Sequence, residues 1–192
     1  MTGIIILAAG SSSRMGKAKQ NLIFKEQTLL QNAVTTALAS KADGVAVVLG
    51  ANAELILETI KDQPVNILIN KDWEAGMGTS ISYGVSEFLK LEPTLSSVLF
   101  MLTDQPLVDA DFINSLFDHA SPGKIIASAY NDTSGPPALF DQLFFDELLK
   151  MQGIDGAKKI IQKQQQAVIE IPFTLGAFDI DTPEDYNRIS KS

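Results

Sequence analysis

The chain is predicted to fold as an α/β protein of three layers, with a mostly parallel sheet covered by helices on both faces. Two observations carry this. Strand-sized apolar runs alternate with helix-period segments from one end to the other, and runs such as residues 4–8 and 45–49 are apolar without alternation, the signature of strands buried on both faces. The length adds a third, because 192 residues suit one well-buried domain, residues 1–192, and fall short of the size at which cores divide.

The elements follow in order. Residues 4–8 read as the first strand, and Thr28 is placed to cap a helix that lines up Leu29, Leu30, Ala33, Val34, Ala37 and Leu38. Strand 45–49, helix 54–61 and strand 65–69 come next, then helix 79–91, a buried strand 98–102, helix 111–119 and strand 124–130. The last third reads as helices 141–150 and 155–165, strands 167–171 and 177–180, and a final helix opened by Pro183. Turn formers crowd residues 131–137, which serve either as an active-site loop or as a connection. In sheets of this kind ligands sit beyond the carboxyl ends of the strands. Residues 10–19, residues 76–80 and Asp104 all follow strands, so one cleft is within reach of all three.

Composition narrows the classes. Hydrophobic residues make up 45% and charged residues 20%, ordinary for a globular protein. The absence of cysteine excludes disulfides, thiolate metal sites and a cysteine nucleophile, and fits a reducing cytoplasm. The start of the chain has neither the cationic nor the long apolar region of a secretory signal, so a cytoplasmic protein without membrane association is expected. A net charge of −8 and a pI near 4.6 argue against nucleic acid, which demands an extended basic face.

Against that acidic background the first 25 residues carry Arg14, Lys17, Lys19 and Lys25 and no acidic side chain. Three of the cations share a turn with Gly10, Ser11, Ser12, Ser13 and Gly16, where small residues let the backbone approach an anion. This is not a Walker loop: five residues separate Gly10 from Gly16, and Ala18 stands where a magnesium-binding hydroxyl is required. Neither this turn nor Gly76-Met77-Gly78-Thr79-Ser80-Ile81 has the glycine spacing of a dinucleotide fingerprint.

Residues 7–19, Leu-Ala-Ala-Gly-Ser-Ser-Ser-Arg-Met-Gly-Lys-Ala-Lys, resemble throughout the nucleotide-binding loop of the MobA-like nucleotidyltransferases, in the branch that transfers CMP to molybdenum cofactor. Residues 70–81, Thr103-Asp104-Gln105-Pro106, residues 135–140 and residues 179–186 resemble further segments of that family in the same order. The resemblance therefore covers essentially the whole chain. It implies a Rossmann-like fold of the nucleotide-diphospho-sugar transferase type and a reaction in which the acceptor's terminal phosphate attacks the α-phosphate of an NTP, expelling pyrophosphate. Such a nucleophile is already anionic, so no strong protein base is needed.

The resemblance also distributes roles. Leu7, Ala8, Ala9, Gly10, Ser11, Ser12, Ser13, Arg14, Gly16 and Lys19, with Gly78, Thr79 and Ser80, are expected to bind nucleotide. Arg14, Lys19 and Asp104 are expected to be catalytic, the guanidinium as a planar fork and the ammonium as a point charge. Lys17 stands where the family varies. Asp104 ends an apolar run and precedes Pro106, and a carboxylate there suits Mg2+, which needs only one or two protein carboxylates. The second carboxylate is Asp179 or Asp181, two residues apart and so on one side of a strand; the resemblance favours Asp181, although residues 181–185 also read as a helix start.

Trp73 is a stacking platform or a packing residue, and His119 stands apart from any catalytic constellation. Gly135, Pro136 and Lys158 are the expected acceptor contacts. Lys158 stands where the family often has arginine, so the acceptor is the least constrained part. The start Ala8-Ala9-Gly10 favours CTP, since the guanylyltransferase branch more often places two glycines there. The implied partners are CTP (or GTP), a molybdopterin-type phosphorylated acceptor and the apoprotein of a molybdoenzyme. A GTP-using enzyme, a transferase for another phosphorylated acceptor and a non-catalytic cofactor-delivery accessory are the alternative readings.

Overall fold

The computed structural model describes residues 1–11 and 18–189. Its main sheet has seven strands: β1 (Thr2–Ala8), β4 (Gly44–Leu49), β5 (Asn66–Ile69), β6 (Ser97–Leu102), β7 (Ile125–Tyr130), β8 (Thr133–Asp141) and β9 (Val168–Pro172). The spatial order is β5-β4-β1-β6-β8-β7-β9, and β8 alone among them runs antiparallel to its neighbours. Two short strands, β2 (Ile23–Phe24) and β3 (Gln27–Thr28), form a separate antiparallel pair. The mostly parallel reading is correct.

The central strand shows why the apolar runs do not alternate. Ile4, Ile5 and Ile6 are all fully buried, because successive side chains enter different layers. Ile4 and Ile6 meet helices α1 (Leu29–Leu38), α2 (Ala53–Leu57) and α4 (Ala110–Asp118), through Leu30, Val34, Ile56, Ile113 and Leu116. Ile5 enters the opposite core, made with α3 (Met77–Leu91), α5 (Phe145–Leu149) and α6 (Lys158–Lys163) through Val85, Phe88, Leu148 and Ile160. A polar residue at any of the three positions would be stranded in one core or the other.

Helix α1 starts where expected. Gln31 N donates to Thr28 Oγ1 at 3.1 Å and Thr28 N donates to Gln31 Oε1 at 2.9 Å, a reciprocal capping box. Among the described residues no helix is long and apolar enough to cross a membrane.

Five expectations are corrected. Residues 133–141 form β8 rather than a loop followed by a helix at 141, and Pro136 and Pro137 fall where the pairing slips: Ala127 faces Ala138, but Ser128 faces Gly135. Prolines lack the N–H a ladder needs, so an irregularity is where a strand tolerates them. Residues 177–180 are not a strand; a 3-10 turn, Thr174–Ala177, leads into an irregular segment whose Ile180 N donates to Asp104 O at 2.9 Å. The helices expected at 54–61 and 155–165 shorten to α2 and α6, and α5 begins only at Phe145. Gly156 lies ahead of α6 and leaves that segment without a strong helix former at its start.

The register brings the site together. Leu7 pairs with Leu102 and Ala8 with Leu49, so the segments leaving β1 and β6 emerge side by side at one edge. Because β8 is antiparallel, its first residues arrive at that same edge.

Candidate active site

At that edge lies a cleft of about 530 Å³, lined by Leu7 and Ala8 at the end of β1, Ala9, Gly10 and Ser11 after it, Thr103 and Asp104 after β6, and Lys19, Gln20, Trp73, Gly76, Met77 and Ser80. Ser12, Ser13, Arg14, Gly16 and Lys17, named in the sequence, lie outside the described residues. Gly10 is exposed, and a side chain there would meet no atom of the described residues within 4 Å.

The chain re-enters at a short 3-10 turn, Lys19–Asn21. Here two consecutive side chains divide. Gln20 is buried and its Nε2 donates to Ala8 O at 3.0 Å and to Gly10 O at 2.8 Å. Lys19 Nζ reaches Asp104 Oδ2 at 2.6 Å and Asp181 Oδ1 at 3.1 Å. Burial on its own would lower the Lys19 pKa, but the charge of Asp104 and the bonds to both carboxylates outweigh it and raise the pKa above 10.5. The ammonium stays charged at neutral pH.

Asp104 and Asp181 are held in register by backbone, through the Ile180 N to Asp104 O bond described above. Asp104 Oδ1 is buried and has no hydrogen-bond partner among the described residues. Thr182 and Asp185 exchange the bonds that open α7 (Pro183–Ile189): Thr182 N donates to Asp185 Oδ2 at 3.0 Å and Asp185 N to Thr182 Oγ1 at 3.2 Å. Helix initiation thus uses Thr182 and Asp185, while Asp181 Oδ1 accepts from Lys19. Asp179 flanks the pair. The protein around its carboxyl, and then the charge of Asp104, push its pKa up to about 6, an effect tempered by its exposure to solvent.

The start of α3 forms the opposite wall. Gly78 N donates to Gly153 O at 2.8 Å; a Cβ on Gly76 would lie 2.3 Å from Gly153 O, and one on Gly78 2.6 Å from Gln152 O. These glycines therefore admit neighbouring backbone, and Gly78 and Thr79 do not line the cleft as Ser80 does. Asn70 is buried and its Nδ2 donates to Ser80 Oγ at 3.0 Å and Thr79 Oγ1 at 3.3 Å, while Thr79 Oγ1 donates to Gly76 O at 2.8 Å. Trp73 packs, its Cβ covering Gly50, where a side chain would meet it at 2.6 Å, and it also lines the cleft.

The expected acceptor residues separate. Gly135 and Pro136 pack against Tyr130 and do not line the cleft; the Tyr130 hydroxyl donates to Pro136 O at 3.2 Å, and its pKa is raised by burial and then by the charge of Asp179. A Cβ on Gly135 would come within 2.6 Å of that hydroxyl. Lys158, exposed at the start of α6, does not line the cleft. Sequence reasoning assigns no role to Gln20 or Asn70. Asn70 opens the family-like segment 70–81, whereas Gln20 is signalled only by its place one residue past the loop.

Among the described residues no cluster of three or more histidine, cysteine, aspartate or glutamate side chains could hold a metal. A pair such as Asp104 and Asp181 still fits a hard divalent cation that takes its remaining ligands from water and phosphate oxygens. The unpartnered Asp104 Oδ1 is a donor atom of the right kind.

The mostly parallel sheet, with a cleft of about 530 Å³ beyond its carboxyl ends, places the chain in the class of α/β nucleotidyltransferases. It belongs to the MobA-like NTP transferase family, whose domain matches residues 4–168. The chain is similar to nicotine blue oxidoreductase of Paenarthrobacter nicotinovorans, 26% identical across 100% of this chain and 94% of the relative. It is 30% identical to the purine catabolism protein PucB of Bacillus subtilis across 98% and 95%. Molybdenum cofactor cytidylyltransferase of Escherichia coli is 25% identical across 95% and 92%. Among solved structures, Rv0371c of Mycobacterium tuberculosis superposes with a TM-score of 0.88 at 26% identity, covering 100% of this chain and 97% of that one. Its manganese complex superposes at 0.84 and 25% identity, covering 100% and 98%.

Proposed function

We propose that the protein transfers CMP from CTP to the terminal phosphate of molybdenum-bound molybdopterin, releasing pyrophosphate. The observation that carries this reading is Lys19, charged and held between Asp104 and Asp181 at the mouth of a cleft bounded by residues 8–11. Full-length similarity to a molybdenum cofactor cytidylyltransferase and the Ala8-Ala9-Gly10 start support the nucleotide and the acceptor.

The step is an in-line displacement. An acceptor phosphate oxygen forms a bond to the α-phosphorus of CTP, the bond from that phosphorus to the oxygen bridging to the β-phosphate breaks, and pyrophosphate leaves with the electron pair. Lys19 opposes negative charge as it accumulates on the phosphoryl oxygens, and the segment of residues 8–11 gives the triphosphate a surface free of side-chain bulk at Gly10. Arg14, by resemblance, adds a second cation. Asp104 and Asp181 would hold Mg2+, for which a manganese-bound neighbour and the unpartnered Asp104 Oδ1 are the support. Bound there, the cation offsets charge on the phosphate oxygens and helps align them.

A redox role, suggested by the name of one relative, has less support, because neither glycine cluster has the spacing of a dinucleotide fingerprint. The deciding experiment measures pyrophosphate release with each NTP, Mg2+ and molybdenum-loaded molybdopterin, alongside Asp104→Ala. Release with CTP and a loss of roughly a hundredfold or more in the variant are expected. Turnover with GTP alone, with sugar phosphates alone, or unimpaired turnover by the variant would each displace the proposal.

A further inference from the structure

We infer that Gln20 is a positioning residue for the triphosphate, acting through the neck of the loop that precedes it; the inference rests on the nucleotidyltransferase reading above. Gln20 is 1% exposed, and a buried primary amide persists only where its hydrogen bonds are met. From the returning turn its Nε2 reaches the segment that leaves β1, donating to Ala8 O at 3.0 Å and Gly10 O at 2.8 Å. The two protons of that nitrogen are thereby both committed to loop carbonyls.

Two consequences follow from that geometry. First, it turns the carbonyls of Ala8 and Gly10 toward the amide, away from an incoming polyanion that they would repel. Backbone that presents carbonyl oxygens to phosphate is a poor cradle, whereas backbone whose carbonyls are engaged elsewhere can offer its N–H groups. Gly10, exposed and without a side chain, is the residue this orientation presents. Second, Gln20 and Lys19 share one 3-10 turn, so fixing Gln20 against β1 fixes the residue before it on the opposite side, where Lys19 reaches Asp104. One buried amide at the cleft wall therefore sets both the backbone after β1 and the ammonium.

Gln20→Asn keeps the amide but leaves it one methylene too short to reach both carbonyls, and Gln20→Met keeps the length without the donors. The test prepares these two variants and measures equilibrium binding, with Mg2+ present, of CTP, GTP, inorganic pyrophosphate, cytidine and guanosine, together with circular dichroism and thermal unfolding. Affinity of the folded variants for the preferred NTP and for pyrophosphate is expected to fall by at least about tenfold, while nucleoside affinity stays within about twofold. A purely structural role would lower the unfolding temperature without separating triphosphate from nucleoside. Wild-type affinity for NTP and pyrophosphate in a folded variant overturns the inference, as do equal losses for nucleoside and triphosphate, or failure of both variants to fold. If the wild-type protein binds no NTP, the proposed function falls and takes this inference with it, which distinguishes the two failures.

Discussion

Lys19 Nζ donates to Asp104 Oδ2 at 2.6 Å across a separation of 85 residues, joining the return of the loop after β1 to the end of β6. The contact is built by the sheet: parallel pairing of Leu7 with Leu102 delivers both segments to one edge. The same ammonium also holds Asp181 Oδ1, so its removal would take a positive charge from the midst of three carboxylates, Asp104, Asp179 and Asp181.

Lys19→Met should therefore lower kcat by roughly a hundredfold, about 3 kcal/mol of lost transition-state stabilisation. Asp104→Asn should cost a similar amount, and because the two groups touch, the double variant should lose much less than the product of the single losses. A cycle of pyrophosphate-release rates measures the coupling. Strictly multiplicative losses would mean that the pair does not work as a unit.

Thr28→Ala should destabilise the fold by about 1 kcal/mol, the usual cost of an N-cap, read as a shift in the urea midpoint. The Thr28 hydroxyl is the acceptor for Gln31 N, and the reciprocal bond from Thr28 N to Gln31 Oε1 loses its fixed geometry with it. Helix α1 packs Leu30, Ala33 and Val34 on the face of the sheet behind the cleft, yet it supplies no cleft residue. Activity per folded molecule should stay within about twofold.

How far the sequence can be read depends on which interactions set each element. The parallel strands are legible because both of their faces are buried, which leaves unbroken runs such as Ile4-Ile5-Ile6. β8 is not, because Gly135, Pro136 and Pro137 are turn formers taken locally; the strand forms only because β6 and β7 flank it and the slip beside Ser128 accommodates the prolines. The segment 177–180 carries strand-like residues but finds no ladder, its Ile180 N bonding Asp104 O instead. In the site, Lys19, Asp104 and Asp181 come from motif resemblance, and the distances between them belong to topology. Gln20 and Asn70 act through buried amides on backbone or hydroxyl groups, and composition carries no mark of that.

Glu147 ties α5 to α6 and its neighbourhood makes stability depend on pH. Lys163 Nζ donates to Glu147 Oε1 at 2.5 Å and Gln164 Nε2 donates to Oε2 at 3.0 Å; the Lys163 bond first, with help from Gln164, holds the carboxyl below 4.5. A depressed folded-state pKa means the contribution is fully present above 4.5 and is lost as pH falls through the lower folded value. Since Lys163 is largely exposed, the contribution should be no more than about 0.5 kcal/mol. Urea unfolding of wild type and Glu147→Gln should differ by that much at pH 7 and converge near pH 3. A difference that grows on acidification would contradict the sign.

The glycines of the site separate packing from binding, and two alanine substitutions expose the difference. At Gly78 a Cβ would lie 2.6 Å from Gln152 O and 2.7 Å from Gln152 C, backbone atoms that cannot move aside without breaking the Gly78 N to Gly153 O bond. Gly78→Ala should therefore cost about 1–3 kcal/mol, and Gly76→Ala at least as much, because its φ of 112° adds backbone strain. At Gly10 a Cβ would meet nothing within 4 Å among the described residues, so Gly10→Ala should change stability by no more than about 0.5 kcal/mol. Its methyl group would instead project into the space the triphosphate is proposed to fill. Nucleotide affinity should fall for Gly10→Ala while its unfolding midpoint stays put; for Gly78→Ala the midpoint should fall first, with affinity lost only as the wall of the cleft shifts. Equal affinity for wild type and Gly10→Ala would place the phosphates elsewhere.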